Sequence, residues 1–424
     1  METYEKELRE YFLQNTSAVL KNPRGFIKYP FIDPGSVYDG NVWDWDTFWS
    51  VYGFLNLYDS HENSPVREEI IVHAKGNIFN FLDHQLEDGY IPMMIELGKW
   101  PEPYLNGKHK EGVMMNMHKP FLCNQICLIS GQTGDYEWIA DKTDRLEKYF
   151  DCYFRNYYFE HCGLFVWCDD IMIGMDNDPA SFGRPKYSTA NIFLNSFMVT
   201  ELKSMAEILR KTAKDSDKAD HYDAAANQLI EAIRRECWDK RDKFFYSADI
   251  DIKTRKFDWF HEGLGVFWNS LPIKIRTWSG FLPMWAGFAT REEAAAMTAH
   301  MFDPDTFASE FGITTLAKDE KMFDLSVTNN PSNWLGPIWV VANYVAFRGL
   351  LNYGYVKEAG IIAAQTAALL GKDLEETQSL HEYYDPFTGK PIMNGGFINW
   401  NILVINMMDE LNGKKPLKDT FPKL

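Results

Sequence analysis

The stretch NIFLNSFMVTELKSMAEILRKTAKDSDKADHYDAAANQLIEAIRRECW, residues 191–238, decides the fold. Leu194, Phe197, Met198, Leu202, Met205, Ile208 and Leu209 recur at spacings of three and four, the pattern of an amphipathic helix with a broad buried stripe. Tyr222, Ala225, Leu229, Ala232 and Ile233 repeat it after a short polar run, so two helices follow each other as a pair. Working outward, the same periodicity predicts helices at 3–20, 45–58, 65–86, 119–131, 140–157, 189–212, 218–236, 278–288, 290–301, 337–350, 354–370 and 398–410. Ser64-Pro65 ahead of Glu68 and Glu69 reads as a helix start, with Ser64 capping free N–H groups. Strand signals are confined to GLFVW at 163–167 and KFFYS at 243–247, which read as hairpins within loops. Paired helices in even number, without βαβ alternation, predict an all-α closed toroid of helical hairpins.

No Ser/Gly/Pro tract or charge block reads as a linker, and a single domain is expected over 1–424. The net charge of -17, from 43 basic and 60 acidic residues, argues against a nucleic-acid partner, whose phosphates need a basic surface. The N-terminus METYEKELREYFLQ has no apolar signal core, and no run of the chain has the length and apolarity of a membrane span. Six cysteines lack the density of a disulfide scaffold and read as reduced thiols of a cytoplasmic protein. There is no GxGxxG after a strand, no GxxxxGK[ST] and no HExxH, and Cys123-x3-Cys127 has only His118 nearby. No cofactor and no metal are therefore expected, and the oligomeric state is left open.

The predicted helices leave long connections at 37–46, 88–118, 168–187, 303–336 and 381–397, which can converge on a pocket if they share one end of the toroid. They carry carboxylates and aromatics. In VYDGNVWDWDTFW, Trp43, Trp45 and Trp49 alternate with Asp44 and Asp46. Indole faces pack on sugar C–H surfaces while a carboxylate accepts hydroxyl hydrogen bonds. Asp176 follows Ile171, Met172, Ile173 and Met175, apolar neighbours that can keep a carboxyl protonated for use as a general acid. Glu382 lies between His381 and two tyrosines that can hold a base ionised. Asp-Asn-Asp-Pro and Asp-Pro-Phe-Thr-Gly are also what ordinary turns contain, so residue type alone leaves both readings open. In NNPSNWLGPIW at 329–339, Gly336 permits close backbone approach and Pro337 can open the next helix.

The set Trp43-x-Trp45-Asp46, Gly174-Met175-Asp176-Asn177-x-Pro179, Gly336-Pro337-x-Trp339 and Glu382-x-Tyr384-x-Pro386-x-Thr388-Gly389 resembles glycoside hydrolase family 63. Related patterns occur in family 37 trehalases and in mannosylglycerate and glucosylglycerate hydrolases. The smaller matches DGYIP at 88–92, GFLPMWAG at 280–287 and FINW at 397–400 agree with it. The resemblance implies an (α/α)6 barrel that cleaves an α-linked sugar with inversion, Asp176 matching the general acid and Glu382 the general base. It also implies a sugar pocket built from Tyr38, Trp43, Trp45, Asp46, Tyr90, Lys119, Asn177, Trp334, Gly336, Trp339, His381 and Trp400. Leu335 stands where many relatives have Arg, and Lys119-Pro120-Phe121 replaces a Gln-Pro-Pro-like run, so specificity cannot be carried over.

The expected function is an exo-acting α-glycosidase on a small gluco-configured glycoside or oligosaccharide. Two alternatives stand beside it. One is a hydrolase of mannosylglycerate or glucosylglycerate, whose anionic aglycone would need Lys108, Lys110, Lys119, Arg184 or Lys186 at the pocket. The other is a carbohydrate-binding protein without catalysis.

Overall fold

The computed structural model describes residues 2–59, 64–98, 101–212, 215–251, 269–326 and 332–416. Asn329, Asn330 and Pro331, at the start of the stretch 329–339 quoted above, lie outside the described residues. Thirteen α-helices occur among the described residues: α1 (Glu2–Val19), α2 (Asp44–Leu57), α3 (Pro65–Asp83), α4 (Tyr104–Lys110), α5 (Leu122–Thr133), α6 (Thr143–Asn156), α7 (Ile192–Lys211), α8 (Ser216–Glu236), α9 (Leu282–Trp285), α10 (Arg291–Phe302), α11 (Val340–Asn352), α12 (Val356–Thr377) and α13 (Leu403–Leu411). Strands are two or three residues long and pair antiparallel.

Two kinds of helix are present, and their sequences say why. Every residue of α2, DWDTFWSVYGFLNL, is buried, and α11 is nearly as enclosed; a helix apolar all round belongs inside a protein. Helix α8 instead carries charges on one side and buries Ala219, Tyr222, Ala226, Leu229, Ile230 and Ile233 on the other. The packing follows this division. α2 touches α5, α5 touches α7, α7 touches α9, α9 touches α11, α11 touches α13 and α13 returns to α2. Helices α3, α8, α10 and α12 pack outside this cycle on α2 and α5, α7, α11, and α11 and α13 respectively, and α1 packs on α12 and α13.

The axis of the cycle is filled by Trp49. This fully buried ring meets Phe121 at the start of α5, Phe197 of α7, Trp285 of α9 and Tyr344 of α11, with centroids 5.9–6.4 Å apart. One turn before it on α2 lies Trp45. One turn beyond, Tyr52 accepts a hydrogen bond from the Tyr344 hydroxyl at 2.9 Å, and Glu410 pairs with Arg348 at 2.7 Å.

Hairpins link outer helices to the next inner one. Leu164–Phe165 pairs with Tyr158–Phe159 after α6, Phe244–Phe245 with Trp238–Asp239 after α8, and Gly312–Ile313 with Ala308–Ser309 after α10. Two of them are tied down alike: the fourth residue of the following helix, Asn195 or Asn343, accepts from the backbone N–H of Phe165 or Ile313 at 2.8 and 2.9 Å.

Several helix limits differ from the sequence expectation. Pro337 does not open α11, because the exchange of backbone bonds between Ile338 and Tyr384, 2.8 and 3.0 Å, holds this stretch extended until Val340. The predicted helix 278–288 is a 3-10 turn at Trp278–Phe281 followed by the short α9, which Gly287 ends at φ 78°. Ser64 precedes α3 as expected, yet its side chain makes no capping bond. Helix α4 lies inside the connection read as the loop 88–118.

Candidate active site

All five long connections reach one cavity of about 390 Å³. Tyr38, Trp43, Trp45 and Asp46 come from the first, Met93, Met94 and Leu105 from the second, Asp170 to Phe182 from the third, Ser332 from the fourth and Glu382 from the fifth, with Trp339 and Trp400 between them. Trp43 is delivered by a two-residue ladder in which it faces Met94. Trp45 and Asp46 stand on the first turn of α2, whose N-cap is Trp43.

Glu382 is held firmly in the cavity wall. Its backbone N–H bonds to Met393, Tyr38 donates its hydroxyl to Oε1 at 2.8 Å, and the Asn394 amide donates to Oε2. Asn394 reaches it from a left-handed conformation, φ 51°, inside Asn394-Gly395-Gly396. Burial pushes the Glu382 carboxyl up to about 7; the bonds from Asn394 and Tyr38 oppose that rise, and the charge of Asp176 adds to it. Burial and the same carboxylates keep the Tyr38 phenol protonated, with its pKa raised.

Asp176 lies on the same cavity, half-buried, on a loop that is fastened on both sides. Gly174, at φ 88°, lays the backbone against the Trp45 indole, where a Cβ would meet the ring at 3.0 Å. Asn177 accepts from the Trp334 backbone N–H at 2.6 Å and donates to Asn333 at 3.0 Å, which couples this loop to the segment before α11. Asp178, buried, accepts from Ser181 and Asn191 at 2.9 Å each, anchoring the loop to the start of α7. Of the apolar neighbours of Asp176, Ile173 and Met175 enter the core, whereas Ile171 and Met172 line the cavity.

Asp46 is buried and accepts from the Asn399 amide at 2.6 Å, which in turn accepts from Ser50 at 2.9 Å. Burial first, then the neighbouring Asp44, raises its pKa to about 8, with Lys119 pulling the other way. Lys119 is not among the residues lining the cavity. Its ammonium lies 2.7 Å from Asp44 Oδ1, both groups fully buried, without the alignment of a good hydrogen bond, and 5.9 Å from the centre of the Trp45 ring. Asp44 also accepts from the backbone N–H groups of Trp45 and Lys119, so the ion pair forms the bed on which Trp45 rests.

The remaining expected site residues divide. Tyr38, Trp43, Trp45, Asp46, Trp339 and Trp400 are brought together on the cavity with Asp176 and Glu382. Trp334 stacks directly behind Trp339, centroids 3.9 Å apart. Gly336, at φ 138°, makes room for Phe323, whose ring would lie 2.4 Å from a Cβ there. Tyr90 is buried against the His109 ring at 4.0 Å, and His381 turns to Asp373 at 2.9 Å, both off the cavity wall. Sequence reading missed Met93, Met94, Leu105, Asp170 and Phe182 in the wall, and Asn394 and Asn399 as carboxylate partners. The Asn-Gly-Gly turn was a signal for Asn394; an isolated methionine or phenylalanine offers none. The five basic residues considered for an anionic aglycone are paired elsewhere: Lys108 with Glu111, Lys110 with Glu102, Lys119 with Asp44, Arg184 with Asp249 and Lys186 with Asp169. No group of three or more His, Cys, Asp and Glu suited to a metal ion occurs among the described residues.

A helical fold whose long loops bring four carboxylates and several indoles to one cavity is that of a glycoside hydrolase domain. The chain belongs to the mannosylglycerate hydrolase MGH1-like glycoside hydrolase family, whose model matches residues 40–400. It is 23% identical over 294 residues, 66% of this chain and 32% of the relative, to a probable mannosyl-oligosaccharide glucosidase of Schizosaccharomyces pombe. It is 25% identical over 229 residues, 54% of this chain and 47% of the relative, to the mannosylglycerate hydrolase of Thermus thermophilus. These matches span about a third to a half of the relatives' own lengths. In structure it is similar to a family 63 mannosylglycerate hydrolase from Thermus thermophilus in complex with glucose. The TM-score is 0.68 at 16% identity, covering 95% of this chain and 99% of that one. The family 63 resemblance and the largely helical fold agree with these matches.

Proposed function

We propose that this chain hydrolyses a small, uncharged α-glycoside, gluco-configured at its non-reducing end, with inversion at the anomeric carbon. The observation that carries the uncharged substrate is the composition of the wall. Asp46, Asp170, Asp176 and Glu382 line the cavity, while none of its described lining residues is Lys, Arg or His. A carboxylate aglycone entering there would meet like charge and find no fork or ammonium to pair with. Volume supports a small ligand, since sites for such molecules run from about 300 to 1,000 Å³. The rings of Trp43 and Trp400 line the cavity and offer apolar faces to a sugar.

In this reading Asp176 gives its proton to the glycosidic oxygen as the bond to the anomeric carbon breaks. Glu382, ionised, takes a proton from the water that attacks that carbon from the opposite face, so an α-glycoside yields a β product. Tyr38 and Asn394 position the base, and Asp46 accepts hydroxyl hydrogen bonds from the reacting sugar with whichever lone pairs Asn399 leaves. The helix cycle supports an (α/α)6 barrel, and the absence of a separating linker supports one domain over the whole chain. No helix among the described residues is long and apolar enough to cross a membrane, and a cytoplasmic setting belongs to the same proposal.

Hydrolysis of mannosylglycerate or glucosylglycerate is the second reading, favoured by the names of the family and of the Thermus thermophilus relative. A panel of trehalose, kojibiose, nigerose, maltose, glucosylglycerol, glucosylglycerate, mannosylglycerate and soluble starch separates the two. Release of sugar from the neutral compounds is the expected result, and selective cleavage of either glycerate overturns the uncharged substrate. Sugar binding without release across the panel identifies a non-catalytic binder, rapid internal cleavage of starch refutes the pocket, and initial release of the α anomer followed by NMR refutes inversion.

A further inference from the structure

We propose that the mouth of the cavity is a subsite for an apolar aglycone, an alkyl or aryl group, built from Ile171, Met172, Phe182 and Met94. The inference rests on the glycosidase reading and names its substrate class. The wall changes character with depth. Two of its four carboxylates and three of its four indoles are deep: Trp339 is 0%, Glu382 2%, Trp45 and Trp400 3% and Asp46 7% exposed. Ile171 and Phe182 line the same cavity yet are 60% and 58% exposed, and Met172 and Met94 are intermediate. A glycoside whose sugar occupies the deep carboxylate end therefore extends its aglycone between apolar side chains.

These side chains are not explained by core packing. The loop carrying Ile171 and Phe182 is held by polar bonds instead: Asp170 accepts from the Gly183 backbone N–H at 2.6 Å, Asn116 donates to the carbonyls of Asp169 and Ile171 at 2.8 and 2.7 Å, and Asp178 grips Ser181 and Asn191. Met172 is set against the cavity in a left-handed backbone conformation, φ 64°, which a side chain with a Cβ adopts at a cost. Single exposed apolar residues are ordinary; several of them continuous with a reactive cavity, on loops fixed without their help, mark a surface meant to be covered. Thioethers suit an aglycone of variable shape because they are unbranched and polarisable. Asp170 within the same rim disfavours an anionic group there.

The test is a chain-length series. Initial rates are measured with methyl, butyl and octyl α-D-glucopyranosides and α-D-mannopyranosides, below micelle-forming concentrations. Complete burial of a methylene corresponds to about fourfold in affinity, and a half-open shelf to roughly twofold, so kcat/KM rises roughly eightfold from methyl to butyl. In the Ile171→Ser, Phe182→Ser double variant the butyl-to-methyl ratio falls toward one. That ratio is independent of the fraction of folded enzyme. A flat series in the wild-type protein, or an unchanged ratio in the double variant, overturns the subsite. If neither series is hydrolysed, the glycosidase reading fails by itself, and calorimetric binding of the same compounds then decides the subsite. Tighter binding of the octyl than the methyl compound, lost in the double variant, supports it, and equal binding overturns it.

Discussion

Replacing Tyr38 with Phe removes one hydroxyl and leaves the ring, so it isolates a single bond to Glu382. That bond is 2.8 Å long and ends on a carboxylate that is 2% exposed. A hydrogen bond to a charged group contributes about 1.5–3 kcal/mol, and about 1.4 kcal/mol corresponds to one pKa unit. The bond stabilises the ionised form, so its loss moves the Glu382 carboxyl upward from about 7 by about one to two units. If Glu382 is the base, kcat/KM falls as pH drops through that pKa, and the acid limb in the Tyr38→Phe enzyme lies at correspondingly higher pH. Asn394→Ala shifts it the same way, because the amide donates to the other oxygen. Asp176→Asn shifts it downward, because a like charge is removed; an activated glycosyl fluoride keeps that variant measurable. Profiles of kcat/KM between pH 5 and 10, read alongside circular dichroism, decide the matter. An acid limb that stays in place in Tyr38→Phe, or moves to lower pH, refutes the assignment of Glu382 as the base.

Asp176→Asn and Glu382→Gln should each lower kcat by about 10²–10⁴, with the fluoride restoring more rate to the first than to the second, and equal recovery would contradict the separate roles. Lys119→Met leaves Asp44 buried without its counter-charge and should cost about 3–5 kcal/mol of stability by urea denaturation, against little or no change if the pair is dispensable. Asp33, Asp46, Glu201 and Glu382 have pKa values raised to about 7 or 8, mainly by burial. The folded state thus retains protons that the unfolded chain has lost above its ordinary carboxylate range, and stability from these groups should fall as pH rises through 5 to 8. A urea midpoint that climbs over that interval would count against their burial.

The inner and outer helices were legible because burial leaves a period in the sequence. The pairing of 192–211 with 216–236 follows directly from the stripe on each. Limits failed where a backbone group had a better partner than the helix: Ile338 paired with Tyr384, and Gly287 stopped α9. The same contrast holds at the site. Asp176, Glu382, Trp45 and Trp339 carried motifs, and all four reach the cavity. Lys119 was expected in the pocket from the resemblance, but its burial beside Asp44 is a pairwise fact that no local pattern encodes. Met93 and Met94 of the wall escaped notice for the opposite reason, since their chemistry is that of any core residue.

Trp49 has one more consequence. Because it and its ring of neighbours fill the axis one turn beneath Trp45, a glycoside that enters sugar-first, as proposed, would leave in reverse order. In that proposed reaction the aglycone would depart ahead of the sugar, and the monosaccharide would be the last to leave. Accumulated free sugar is then expected to compete with the next substrate for the same seat, which would be seen as product inhibition.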